Sequence, residues 1–506
     1  MILNKKELGK LALLKYLLEQ SGYVYKESML AQFNISLSTL KRYTQSMNED
    51  LASIKEFRHI KIIDREGYYF LENTSPFNGQ YVLKKVNLIY HKESIQFQLF
   101  QKLFSCSDKS LTSLKTSLHI SLPYMYKLLF SANQFLKPFL IKIDYSMNLD
   151  SFTILGNSTN VRLFETYFFW SIHQGIEWPF ENISMDELYS SFSAKQLESI
   201  FSVSTSKQLK YLYSLAISHK LYATEEKELT LEDEFKETLL VFQTTYDLSQ
   251  PLDHLLRNHE AKTEPKNLET ERLFFNFTSR VFSSYRDSKE IQNEIGEKLF
   301  TLENSLIHYC KKLLASFVSA FPEIKLLPDY EEFNYQFLYF FSLYFANIFY
   351  IQFDSSNLQE FMVINPDVHT IDSETLTHGK KLFSQFLKEN PLPKHRNISE
   401  FHLTLAHGLI YYFTSKMKDV RLAIYIHFSK DMFGASYIEA ELYKLFGREN
   451  ILIVDTVDQS DIIISDFYED RYKNEKYFHF DDIKNKAYWR KLYTFVHEHQ
   501  LKELGN

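Results

Sequence analysis

The sequence is poor in cysteine, glycine and proline, with 2, 12 and 11 of them among 506 residues. Cys106 and Cys310 lie far apart and match no metal-binding spacing, which favours idle thiols in a reducing compartment over a disulfide framework. The scarcity of turn-forming residues, together with 45% hydrophobic and 16% aromatic residues, favours helices with sizeable cores. The length suggests three or four domains.

The motifs of common enzyme classes are also missing. The sequence has no glycine-rich phosphate loop, no HExxH, no zinc-ligand spacing and no convincing Ser-His-Asp arrangement. His497 and His499 come closest to a metal-ligand cluster, and an exposed helix end explains them better. No secretory signal is visible, and the most apolar segment, residues 337–353, is short for a bilayer. We therefore expect a cytoplasmic protein that is not an enzyme, does not enter a membrane and holds no metal or cofactor.

Acidic residues exceed basic ones, which gives a net charge of −7, but the charge is unevenly distributed. Residues 1–160 hold 20 Lys and Arg against 13 Asp and Glu, a net charge of +7. The remaining residues hold 37 against 51, a net charge of −14. A basic N-terminal part on an acidic body suits a local surface that contacts phosphates.

A pattern near the N-terminus recurs 85 residues later. Residues 31–43 and 116–128 share Ile-Ser-Leu at the same three positions, and Arg42 in the first copy aligns with Lys127 in the second. Each copy is typical of the second and third helices of a helix-turn-helix. The repeat therefore predicts two DNA-binding modules.

The hydrophobic periodicity around each copy predicts three helices followed by a two-stranded hairpin, the order of a winged helix. In the first module we expect Ser36 to cap the third helix, with helices over 6–21, 26–33 and 37–51 and a hairpin over 60–71 that turns at Gly67. The second module has predicted helices over 95–104, 110–118 and 122–136, and strands over 141–144 and 152–155.

Polar residues on the third helix and the wing of each module are the predicted DNA contacts. They are Ser38, Thr39, Lys41, Arg42, Gln45 and Arg65 in the first module, and Tyr124, Lys127, Ser131 and Asn133 in the second. Lys and Arg neutralise phosphates, and Arg also binds guanine edges. Neither recognition helix is rich in base-reading residues, so we expect modest sequence specificity with a contribution from DNA shape. We expect both Arg42 and Lys127 to be exposed.

The remainder of the chain changes character twice. Long apolar helices fill residues 157–417, and a polar stretch at 258–267 reads as a linker between two helical bundles. The last 90 residues or so alternate between strands and helices, which predicts a small, mostly parallel sheet. Its predicted strands are 421–426, 451–454 and 462–465, with a helix over 437–446 capped by Ser436 and helical structure over 481–499.

This order of elements resembles the Mga/AtxA family of virulence transcription regulators of Gram-positive bacteria, which includes the RofA-like proteins. Asn160–Trp170 and Glu177–Phe180 resemble the opening helix and Trp-Pro-Phe turn of a phosphotransferase-regulation domain (PRD), and Asp461–Ser465 resembles a strand of the sugar-transport subunit EIIB. The resemblance implies a mainly α, multidomain fold. Its domains are winged helices over 1–75 and 76–156, PRDs over 157–265 and 266–417, and an EIIB-like α/β domain over 418–506.

The resemblance also implies regulation by sugar supply. In such proteins PRD histidines are phosphorylated by the phosphocarrier protein HPr, and the candidates at matching places are His219, His402, His407 and His308. A working EIIB carries a phosphorylated cysteine after its first strand, whereas this chain has His-Phe-Ser-Lys at 427–430. The resemblance therefore implies that the C-terminal domain forms a homodimer instead of transferring phosphate.

We therefore expect a DNA-binding transcription regulator, an activator by resemblance, that binds double-stranded DNA and is modulated by histidine phosphorylation. A first alternative is an enzyme component of a sugar phosphotransferase system, against which the missing cysteine speaks. A second is an RNA-binding antiterminator, because PRDs also occur there. Those proteins begin with a short β-rich domain, whereas this chain begins with helices.

Overall fold

The computed structural model describes residues 2–20, 22–105, 109–202, 204–224, 229–260, 268–283, 287–351, 374–393, 398–416, 421–430, 433–448, 450–467 and 476–505. The chain is mainly helical, as predicted, and forms two compact units. The first unit comprises Met1–Leu306 with Phe345–Val363, and the second comprises Ile307–Tyr344 with Ile364–Asn506. Cys106 lies outside the described residues, and Cys310 is a buried free thiol.

The first unit begins with the predicted winged helix. Its elements are α1 (Lys5–Glu19), β1 (Val24–Tyr25), α2 (Lys26–Phe33), α3 (Leu37–Ser53), β2 (Ile60–Arg65) and β3 (Tyr68–Asn73). Strands β2 and β3 pair antiparallel around a two-residue turn at Glu66 and Gly67, whose φ angles of 53° and 83° suit the right-handed twist of a hairpin. As predicted, the Ser36 hydroxyl caps α3 by accepting a hydrogen bond from the amide of Thr39 at 3.3 Å.

The second module repeats this geometry at the predicted offset. It consists of α5 (Ile95–Ser105), α6 (Leu111–Ser117), α7 (Leu122–Leu136), β4 (Lys142–Ser146) and β5 (Ser151–Leu155), and α4 (Gly79–Glu93) precedes it. The turn before each recognition helix contains one left-handed residue, Asn34 with φ of 48° in the first module and His119 with φ of 54° in the second. The inward faces of α3 and α7 bury residues at four equivalent positions: Leu40, Thr44, Met47 and Leu51, and Met125, Leu129, Ala132 and Leu136. The two modules are therefore copies of one structure.

An asparagine joins the recognition helix to the wing in both modules. Asn48 donates to the carbonyl of Ile62 at 2.9 Å and accepts from its amide at 2.8 Å. Asn133 makes the same two bonds with Ile143, at 2.9 Å and 2.7 Å. Each asparagine thus satisfies a backbone donor and acceptor at the start of the wing and sets the wing's position relative to the helix. We call these pairs the asparagine clips.

The second module is continuous with the helical bundle that follows. Helix α8 (Ser158–His173) begins three residues after β5 ends, and its phenylalanines pack against those of α5. Ring centroids of Phe168 lie 5.8 Å from those of Phe97 and 5.4 Å from those of Phe100, and Phe164 lies 5.6 Å from Phe104. Because these rings share one apolar interior, the module and the bundle form a single core.

Helix α4 links the first module to this same bundle. Its Val82 and Val86 belong to the core of the first winged helix. Its Lys85 and Lys92 each lie 2.7 Å from the carboxylate of Glu177, which follows α8. Hydrogen bonds from Lys85 and Lys92 lower the pKa of Glu177 to about 2.

The rest of the first bundle contains α9 (Met185–Ser190), α10 (Ala194–Ser202), α11 (Thr205–Thr224), α12 (Asp233–Thr245), α13 (Gln250–Glu260), α14 (Leu268–Val281) and α15 (Lys289–Thr301). Helix α14 packs against α11, α12 and α13. The predicted linker at 258–267 starts too early, since α13 continues to Glu260, and residues 261–267 lie outside the described residues. Arg280 and Asp287 form an ion pair at 2.7 Å with both side chains fully buried.

The second compact unit takes in most of α16 (Ser305–Ala320) and α17 (Tyr330–Tyr350), and all of α18 (Glu374–Glu389) and α19 (Glu400–Thr414). It continues with β6 (Leu422–His427), α20 (Gly434–Phe446), β7 (Ile451–Val454), β8 (Ile462–Ser465), β9 (Tyr477–His479) and α21 (Lys486–Gly505). The strands lie in the order β7-β6-β8-β9 and pair in parallel, which confirms the predicted parallel sheet.

Three details of this sheet region differ from the predictions. Helix α20 begins at Gly434, so Ser436 lies inside the helix and does not cap it. A side chain at position 434 would collide with the ring of Phe428. Strand β9 was not predicted. The C-terminal helix begins at Lys486 and not near Asp481, because Tyr477–His479 and the turn after them come first.

The asparagine clips should contribute to stability. Replacing Asn133 by Ala leaves the amide and carbonyl of Ile143 without their partner, which should lower the free energy of unfolding by about 1–3 kcal/mol. Chemical denaturation measures the change. The control is Gln134→Ala at the next, exposed position, which should stay within about 0.5 kcal/mol of wild type. Equal stability of the two variants would contradict this role for Asn133.

A buried histidine should make the stability of the first compact unit depend on pH. His173 packs against Phe97 and Phe169, neither ring nitrogen has a hydrogen-bond partner among the described residues, and burial lowers its pKa to about 4. In the unfolded chain the pKa of a histidine is about 6.5. Between pH 6.5 and pH 4, the unfolded state therefore binds a proton that the native state does not. Above pH ~6.5 both states leave the histidine neutral, so burial of His173 carries no protonation penalty. As the pH falls to 4, protonation of the unfolded state lowers the free energy of unfolding by roughly 3 kcal/mol.

The variant His173→Phe should therefore show a weaker dependence of thermal unfolding on pH between 4 and 6.5. Circular dichroism at a series of pH values provides the measurement. The same substitution at the exposed His59 is the control and should keep the wild-type pH dependence. An unchanged profile for His173→Phe would show that another group titrates in this range.

Candidate nucleic-acid interface

The first recognition helix, α3, presents a polar outward face. Ser38, Lys41, Arg42 and Gln45 are exposed, and Thr39 is half-buried. The hydroxyls of Ser38 and Thr39 lie 2.9 Å and 3.0 Å from that of Ser36, so they also belong to the capped first turn. The cationic and amide groups of this face are free of the core and can reach phosphates and base edges.

A groove runs between α3 and the wing strand β2. Lys41 lines it from the helix, and Arg58 and Lys61 line it from the approach to the wing and from the wing itself. Arg58 and Lys61 were missed by the sequence analysis. The signal was present, since Ile60 and Ile62 alternate inward and therefore place Lys61 outward. Arg65 is exposed at the end of β2, next to the turn.

The second recognition helix, α7, is organised differently. Tyr124, Lys127 and Ser131 are exposed, and the Ser131 hydroxyl lies 3.5 Å from the side-chain oxygen of Gln96. Both Arg42 and Lys127 are exposed, as predicted. Asn133 is half-buried, and its carbonyl oxygen and one amide proton are engaged by Ile143 in the asparagine clip. Asn133 therefore positions the wing and is left out of the proposed DNA contacts.

The four candidate histidines have different environments. His308 on α16 is exposed, whereas His219 on α11 and His407 on α19 are half-buried. His402 is buried, and its Nδ1 lies 3.0 Å from the hydroxyl of Ser399. His219 is in the first compact unit and the other three are in the second.

Backbone amides in the loop after β6 bind a carboxylate of the same chain. The carboxylate of Asp466, at the end of β8, accepts hydrogen bonds from the amides of Ser429 and Lys430 at 2.9 Å and from the Ser429 hydroxyl at 3.1 Å. Burial opposes ionisation, but these bonds outweigh it and lower the pKa of Asp466. His427 points elsewhere, with its Nδ1 at 3.4 Å from the hydroxyl of Ser465.

The described residues offer neither a metal site nor a membrane-spanning helix. Among them, no group of three or more His, Cys, Asp or Glu side chains is placed to hold a metal ion. No helix within the described ranges is both long and apolar enough to span a membrane.

Comparison with known proteins gives the same assignment as the geometry. Residues 81–169 match the family model of the Mga helix-turn-helix domain, which covers α4 to α8. The chain is 22% identical over 421 residues to the capsule synthesis positive regulator AcpB of Bacillus anthracis, with 81% of each chain covered. It is 22% identical over 193 residues to a candidate trans-acting regulator of Streptococcus pneumoniae, and this match spans 37% of the chain and 35% of that relative. Residues 81–169 therefore form an Mga helix-turn-helix domain, and the two relatives support a place for the chain among the Mga/AtxA-like regulators.

Proposed function

We propose that this protein is a transcription activator that binds double-stranded DNA through its two winged helices. The observation that carries the proposal is the repeat itself. Two modules of the same geometry, in the basic part of the chain, expose Arg42 and Lys127 at equivalent positions of their recognition helices. A cation at the same place on both helices provides two phosphate contacts in a fixed arrangement. The description of AcpB as a positive regulator supports activation over repression.

We further propose that phosphorylation of His219 by HPr modulates this activity, within bundles of the PRD type. The neighbouring Lys220 supports His219 over the other candidates. Its ammonium group is bonded to the carboxylate of Glu165 on α8 and donates to the carbonyl of Phe104, the penultimate residue of α5, at 2.7 Å. A phosphoryl group on His219 would add nearly two negative charges beside this lysine and compete for it. The contact between α11 and the second module would then change.

The C-terminal sheet, in this proposal an EIIB-like domain, serves assembly and not catalysis. The loop after β6 contains no cysteine, and its amides already bind Asp466. Tyr437 and Leu445 lie two helical turns apart on α20 and are exposed, as is Leu452 on the edge strand β7. Among the described residues β7 is an edge strand of the sheet, and exposed apolar residues next to such an edge suit a homodimer that pairs the DNA-binding modules of two chains.

The DNA-binding proposal is tested by the salt dependence of affinity. Wild-type protein should bind an A+T-rich duplex in a fluorescence-anisotropy assay, and its affinity should fall steeply with salt because binding releases counterions. The Arg42→Ala, Lys127→Ala double variant removes two phosphate contacts. The slope of log affinity against log salt should therefore decrease by roughly two for each chain bound to the duplex.

The control is a double variant at two exposed lysines outside the modules, Lys195→Ala with Lys312→Ala, which should keep the wild-type slope. Because Arg42 and Lys127 are exposed, the test variant should also keep its circular dichroism spectrum. Failure of the wild-type protein to bind duplex DNA at low salt would refute the proposal. Preference for hairpin RNA over the duplex would favour the antiterminator function.

Phosphorylation is tested with radiolabelled phospho-HPr as the donor. The phosphoryl group should move from HPr to wild-type protein, leaving unphosphorylated HPr, and the His219→Ala variant should lose most of the label. His308→Ala is the matched control at a more exposed histidine and should retain it. Retention of label by His219→Ala, with loss in His308→Ala, would assign the modification to the second compact unit instead.

A further inference from the structure

The two recognition helices carry different chemistry at equivalent outward positions. On α3 two of these positions hold Lys41 and Gln45, whereas on α7 the residues 85 positions later are Tyr126 and Phe130. Tyr126 is 52% exposed and Phe130 is 68% exposed. The second helix therefore presents aromatic rings where the first presents polar groups.

These two rings are not required by the core of the second module. The inward face of α7 is filled by Met125, Leu129, Ala132 and Leu136, which are all buried. Tyr126 and Phe130 lie four residues apart and so are neighbours on the opposite face of the helix, with Lys127 beside them. Exposure of large apolar side chains costs free energy in water, so such a pair indicates a surface with a partner.

The charge around the pair favours a nucleic-acid partner. Residues 95–156 contain six lysines and three aspartates, with no glutamate. Asp144 is paired with Lys142 at 2.7 Å, and Asp150 accepts a hydrogen bond from the Tyr145 hydroxyl at 2.7 Å. An aromatic pair beside Lys127, in a module with more lysines than acidic residues, matches a groove whose floor has apolar groups and whose walls are phosphates.

Thymine provides such apolar groups. In the major groove its 5-methyl group is the one apolar feature of the base edges, and apolar side chains contact it. One helical turn of about 5.4 Å separates Tyr126 from Phe130, which spans between one and two base-pair steps of roughly 3.4 Å. We infer that α7 reads thymine methyl groups on neighbouring base pairs through Tyr126 and Phe130. This inference rests on the proposed DNA binding and makes the second module selective for T-rich major grooves.

The test compares two duplexes that differ in the methyl group alone. One has alternating A and T, and in the other uracil replaces every thymine. Wild-type protein should bind the uracil duplex roughly tenfold more weakly, since each buried methyl group is worth about a fourfold change in affinity. Phe130→Ala should lose affinity for the thymine duplex and bind both duplexes nearly equally. Phe300→Ala, at an exposed phenylalanine on α15 outside both modules, is the matched control and should keep the wild-type affinities and their ratio.

The outcomes separate this inference from the proposed function. Equal binding of both duplexes by wild-type protein would overturn thymine recognition while leaving DNA binding intact. A thymine preference that persists in Phe130→Ala would attribute it to duplex shape and would also overturn the inference. Unchanged affinity of Phe130→Ala for the thymine duplex would indicate that the aromatic pair contacts a protein. Absence of binding to either duplex at low salt would refute the proposed function itself.

Discussion

The packing of phenylalanines between α5 and α8 is the constraint on which the first compact unit depends. Phe97, Phe100 and Phe104 from the second winged helix meet Phe164 and Phe168 from the bundle with centroid separations of 5.4–5.8 Å for the closest pairs. The family match to residues 81–169 extends into α8, so most of this helix belongs to the Mga helix-turn-helix domain. Because the module and the bundle share one packed core, a conformational change in the bundle can be transmitted directly to the second winged helix.

The parts of this fold that were predictable are those that local periodicity encodes. The inward residues of α3 and α7 recur at helical spacing, so the helices, their boundaries and the repeat itself could be read from the sequence. Ser36 has the position and chemistry of a helix cap, and Gly67 has the conformational freedom that the wing turn requires. The exposure of Arg42 and Lys127 followed from the same periodicity.

What escaped prediction depends on partners distant in sequence. Asn133 has the polarity of a surface residue, and its role is set by Ile143, which only the folded wing brings close. Strand β9 has three residues and gains its structure from parallel pairing with β8. The Asp466 carboxylate binds the amides of Lys430 and Ser429, which lie 36 and 37 residues earlier in the chain, and no local sequence pattern predicts such a contact. The aromatic pair on α7 was visible in the sequence, but its exposure required the structure.

Helix α4 has a consequence for the DNA that this protein can bind. The helix contributes to the core of the first module, and its Lys85 and Lys92 bind Glu177 of the bundle that packs against the second module. A 15-residue helix is rigid and about 22 Å long, whereas a flexible linker would let each module move independently of the other. If both modules bind one duplex, as proposed, the separation and rotational phase of the two contacted segments are fixed within one chain. An operator with half a helical turn inserted between them would present one segment on the wrong side of the duplex.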